Sequence, residues 1–121
     1  MNDLVRALCL AKWESSGALA KSLIASPELA RSTAEKLIDN TGWRERVTAA
    51  KLIAAFELND LVPALLTTFE KNPEEYTCRA FSRLAVQSLG HHAVIYLAKM
   101  KQACPDNDYG RHLQELIEQQ T

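Results

Sequence analysis

Cysteine, glycine, proline and aromatic residues are all sparse in this chain of 121 residues, and each scarcity excludes something. The three cysteines, Cys9, Cys78 and Cys104, form an odd set with long, unequal gaps. That pattern fits neither a secreted disulfide framework nor paired zinc ligands, and points to a reducing cytoplasm. Charge of one sign is also missing: fourteen Lys and Arg face fifteen Asp and Glu, a formal net charge of -1. No global field gathers phosphate backbones, so a general nucleic-acid binder is disfavoured. Long apolar runs are absent too. Asp3, Arg6, Lys12 and Glu14 interrupt the one early apolar stretch, which has neither the unbroken centre of a secretion signal nor the length of a membrane span. Glycine-rich phosphate loops and a glycine-flanked serine elbow are likewise missing. The expectation is a cytoplasmic protein that is not an enzyme, with no catalytic residues, no cofactor, no metal and no membrane partner.

What is present is helical periodicity. Apolar residues make up 47% and charged residues 24%, and a chain of this length buries roughly 65% of its extended surface on folding, enough for one core. Leu4, Leu8 and Ala11, with Val5, Cys9 and Trp13, predict a first helix from Asn2 or Asp3 to Glu14. Ser15, Ser16 and Gly17 read as a break, followed by a short helix or a kinked extension of the first. Ser26, Pro27 and Glu28 predict a helix start, since a hydroxyl cap, a residue without an amide and an early carboxylate all suit a helix N-terminus. That helix ends near Asp39, and Thr41 is the expected cap of the next. There Trp43, Val47, Ala50 and Ala54 form a stripe that Leu52, Ile53 and Phe56 widen, which implies burial on two sides. Pro63 falls in the first turn of a helix carrying Val62, Leu65, Leu66 and Phe69. Asn72, Pro73, Glu74 and Glu75 open another, with Asn72 as cap, carrying Ala80, Phe81, Leu84, Ala85 and Leu89 up to Gly90. Val94, Ile95, Leu97 and Ala98 mark the next. Cys104 to Asp108 read as a loop before a last helix with Tyr109, Leu113, Leu116 and Ile117 on one face. No stretch alternates as a strand would, so the fold class is all-α.

Expected helix starts near 42, 60, 73 and 91 suggest a unit recurring every 31 or 32 residues. A shift of 32 places Leu52 on Leu84, Val62 on Val94 and Leu65 on Leu97. The segment WRERVTAAKLIAAFELNDLVPALLTTFEKNP resembles a HEAT-like repeat of the armadillo and HEAT superfamily. The resemblance is carried by Val47, Ala49, Ala50, Leu52 and Ile53 in the first helix, Asn59 and Asp60 in the turn, and Val62, Pro63, Leu65 and Leu66 in the second. Residues 73 to 103 look like a degenerate second copy in which Gly90, His91 and His92 replace the acidic turn. The resemblance implies a single domain over 1–121, a right-handed stack of about seven or eight helices in antiparallel pairs. Repeat character is clearest over 42–103 and weakest over 1–40, with a capping helix over 108–120. It also implies a surface that docks a protein partner or a second copy of the chain.

Few residues suggest chemistry. His91 and His92 are neighbours whose side chains diverge by about 100° on a helix, unsuited to chelating one metal together. Cys78 beside Arg79 invites a reactive thiol, but three residues before Phe81 it reads better as a small core filler. The candidate binding set is Trp43, Arg44, Tyr76, Arg79 and Arg83. Arg44 aligns with Tyr76 under the 32-residue shift, Arg79 and Arg83 are one helical turn apart, and stacked helices bring the set to one edge. Arginines and aromatics dominate interface energies. The plainer and commoner arrangement puts Trp43 and Tyr76 in the core, with the arginines on Glu45, Glu74, Glu75 or water. The expected function is therefore a non-enzymatic protein-interaction or scaffold module. The alternative is a DNA- or RNA-binding or base-processing protein, with Trp43 and Tyr76 on bases and the three arginines on phosphates.

Overall fold

The computed structural model describes residues 2–104 and 107–120, so Pro105 and Asp106 of the expected loop lie outside the described residues. Among the described residues eight α-helices follow one another: α1 Asn2–Leu10, α2 Trp13–Leu23, α3 Pro27–Ile38, α4 Trp43–Phe56, α5 Val62–Lys71, α6 Glu75–Leu89, α7 Ala93–Ala103 and α8 Asp108–Gln120. Short 3-10 turns at Asn59–Leu61 and Gly90–His92 lead into α5 and α7. Among the described residues there is no strand, and no helix is long and apolar enough to cross a membrane.

Most helix ends follow local chemistry. Ser26 caps α3, its hydroxyl oxygen accepting from the Leu29 amide at 3.2 Å, with Pro27 as first helical residue. Two expected caps are corrected. Glu74, not Asn72, caps α6, its carboxylate accepting from the amides of Tyr76 and Thr77 at 2.8 Å each. Asn72 is engaged elsewhere, donating its side-chain amide to the Thr41 carbonyl. Thr41 does not cap α4, which starts after Gly42 with no side-chain cap; Asn40 Oδ1 instead accepts from the Gly42 amide. Gly90, at φ +57°, takes a conformation a Cβ would strain, and so ends α6 where a side chain could not.

The first boundary also differs from expectation. The chain breaks at Ala11 and Lys12, while Ser15, Ser16 and Gly17 lie inside α2. Ser16 is tolerated there because its hydroxyl donates to the Trp13 carbonyl at 2.8 Å, a local bond that keeps the helical path.

Helix α4 is the hub, with α1, α2, α3, α5 and α6 all packing on it. Every residue from Arg46 to Ile53 is buried, so the broad stripe is enclosed on more sides than an amphipathic helix requires. Beyond it α4 packs on α6 and α6 on α8, while α3 packs on α5 and α5 on α7. The two 3-10 turns begin 31 residues apart, and so do α5 and α7 behind them. Phe69 and Phe81 meet edge to face at 6.3 Å inside the core, and Tyr109 of α8 packs against Phe69 at 6.4 Å.

Two cations are buried with this hub, and both solve the same problem. The last carbonyls of a helix have no partner within it and carry the negative end of its dipole. Lys51 is 5% exposed and donates to the carbonyls of Leu8, Cys9 and Ala11 at 2.7, 3.2 and 2.6 Å, closing the end of α1. Arg46 is 1% exposed and donates to the carbonyls of Thr68 and Asn72 at 3.3 and 3.0 Å, closing the end of α5. The break at Ala11 therefore has a tertiary cause that nearby residues do not announce.

Candidate functional site

The first residue of α4 and the second residue of α6 bring two rings together. Trp43 and Tyr76 stack with centroids 4.5 Å apart and planes 23° from parallel, a contact worth about 0.5–1.5 kcal/mol beyond its burial. The Arg44 guanidinium lies 4.5 Å from the Trp43 ring centroid. One turn along α6, Arg79 pairs with Glu75 at 2.7 Å. A further turn on, Arg83 reaches Glu14 of α2 at 3.2 Å. Trp13 donates its indole N–H to the Gln87 side-chain oxygen at 3.1 Å, so α2 is fastened to α6 at two points.

These residues surround an open cleft of about 580 Å³. Four of the five expected site residues, Trp43, Tyr76, Arg79 and Arg83, line it; Arg44 stands outside, against Trp43. Trp43 is half-buried and Tyr76 is 52% exposed, so neither ring is wholly core. Arg79 and Arg83 are exposed and hold carboxylates, one of them Glu75 as anticipated and the other Glu14.

Sequence reasoning missed Trp13, Lys51, Asp108, Tyr109 and His112, which also line the cleft. A cation inside the apolar stripe of α4 was a legible signal for Lys51. Trp13, Tyr109 and His112 gave none, because only the placement of α2 and α8 brings them here. Burial, together with the Arg83 cation, pushes the Lys51 ammonium below its ordinary range, against an opposing pull from Cys9. Its three bonds to carbonyls occupy all its protons, which makes it a clasp rather than a free amine.

The other chemical candidates resolve as geometry. Cys78 is fully buried, its thiol pointing to the Tyr109 carbonyl at 3.9 Å. Burial first, then nearby Cys104, pushes its pKa up to about 12, overriding the neighbouring Arg79. It is a protonated core thiol, as expected of a filler. His91 and His92 are exposed on the 3-10 turn with ring centroids 4.1 Å apart, closer than the divergence expected of a regular helix. Among the described residues no three His, Cys, Asp or Glu side chains are grouped to hold a metal ion.

No protein-family model matches the chain, and no curated protein or solved structure is significantly similar to it.

Proposed function

We propose that this chain is a non-enzymatic binding module, a short HEAT-like stack of helix pairs that holds a segment of a partner protein in the cleft between α2, α4, α6 and α8. The observation that carries this is convergence. Aromatic and arginine side chains from helices far apart in sequence meet around one concavity of about 580 Å³, a size typical of ligand-holding clefts. The stack is supported by two rows of packing, α4 with α6 and α8, and α3 with α5 and α7, and by the 31-residue spacing of turn and helix. In such an array each pair covers its neighbour, and recognition falls to outward side chains.

The test is affinity capture from the cell of origin with the native chain and with a Trp43→Ala, Tyr76→Ala variant whose helical content is checked by circular dichroism. A partner retained by the native chain and lost at least tenfold by the variant is the expected result. Equal retention by a folded variant overturns the assignment of binding to the cleft.

A further inference from the structure

The charges around the cleft are unevenly compensated. Among the described residues that line it, Lys51, Arg79 and Arg83 are cationic and Glu75 and Asp108 anionic. Glu75 is engaged with Arg79, and Asp108 with Arg111 outside the cleft. Lys51 enters none of the ion pairs among the described residues; its charge is met by three carbonyl dipoles and the pull of Cys9. Arg83 stands close enough to disfavour its protonation. The end of the cleft where α4 and α6 supply Lys51 and Arg83 is therefore positive. The one carboxylate on Arg83, Glu14, is itself 71% exposed. An exposed pair of that kind is weak, so an incoming carboxylate can displace it at little cost.

The same walls carry Trp13, Trp43, Tyr76 and Tyr109, half of the eight aromatic residues in the chain. Ring surface beside guanidinium groups held only by exposed, displaceable carboxylates favours a ligand that joins an aromatic group to an anion. We propose that the cleft takes an acidic–aromatic peptide segment, an aromatic side chain lying against Trp13, Trp43 and Tyr76 while a neighbouring Asp or Glu carboxylate engages Arg79 and Arg83. This rests on the binding-module reading and names the partner's chemistry. A nucleic-acid strand fits less well. It presents a phosphate at every step, and successive phosphates would run onto Glu75 and Asp108, whereas a peptide sets one carboxylate beside one ring.

The test uses a displayed library of random dodecapeptides selected on the intact chain, with peptides that also bind the Trp43→Ala, Tyr76→Ala variant subtracted. Enriched sequences should place Phe, Tyr or Trp within two positions of Asp or Glu. Synthetic copies should change the emission of Trp13 and Trp43, which both line the cleft and are the only two tryptophans in the chain. Affinity should fall about tenfold when the peptide carboxylate becomes its amide, a change that leaves the protein untouched, and similarly for Arg83→Gln, as expected for one charge-assisted hydrogen bond. Enrichment of basic or purely aliphatic peptides that still require Trp43 and Tyr76 overturns the acidic–aromatic assignment and leaves the binding module standing. No enrichment, or peptides indifferent to loss of those rings, overturns both.

Discussion

Lys51 is where side-chain chemistry and position conflict most sharply in this chain. An ammonium in a core is stabilised only by partners that replace its water, and three carbonyls at the end of α1 do so. Lys51→Met keeps the apolar stem but strands those acceptors, and is expected to lower stability by about 2 kcal/mol. The urea midpoint should shift accordingly, while Lys36→Met on the exposed surface of α3 changes it little. Cys78 gives a second prediction at this scale. Its thiol, ordinarily at 9.0, is held protonated in the fold up to about 12. Between those values the unfolded chain has lost a proton that the folded chain keeps. The stability it contributes is therefore intact below pH 9 and declines as pH rises through the window, by about 1.4 kcal/mol per unit for this group. Urea unfolding at about pH 8 and about pH 11 should show a steeper loss in the native chain than in Cys78→Ala.

Among the helices, punctuation decided what could be read in advance. Ser26 with Pro27, the residues around Pro63, and Gly90 each mark a boundary through their own backbone chemistry, and the helices they bound fall where periodicity places them. The end of α1 resists such reading because its stop is enforced by a side chain some forty residues further on. The end of α4 carries a local flaw instead. Glu57 is exposed and sits in the left-handed region at φ 54° and ψ 44°, which disfavours any residue with a Cβ and suits glycine. Glu57→Gly should therefore stabilise the chain by about 1 kcal/mol, seen as a rise in melting temperature of several degrees. A decrease would mean that the Glu57 side chain makes a contact worth more than the strain.

For the whole molecule, balance of charge sets the terms of recognition. With a net charge of -1 and Arg79 and Arg83 each already facing a carboxylate, long-range attraction for polyanions is weak. A titration of single- or double-stranded DNA at low ionic strength should be flat, and salt-sensitive saturation that disappears in Arg79→Ala, Arg83→Ala would contradict this. The candidate site was partly legible because helical spacing aligns Arg79 with Arg83, while the 32-residue shift sets Arg44, next to Trp43, against Tyr76. Its remaining walls, Trp13 on α2 and Tyr109 on α8, depend on how distant helices are placed, and single-chain periodicity carries no such information. The two buried clasps differ in direction along the chain: Arg46 reaches forward to α5, and Lys51 reaches back to α1. As the polypeptide leaves the ribosome, α5 meets a guanidinium already waiting for it. The opening helix, by contrast, emerges with its final turn unsatisfied and cannot settle until residue 51 has been synthesised.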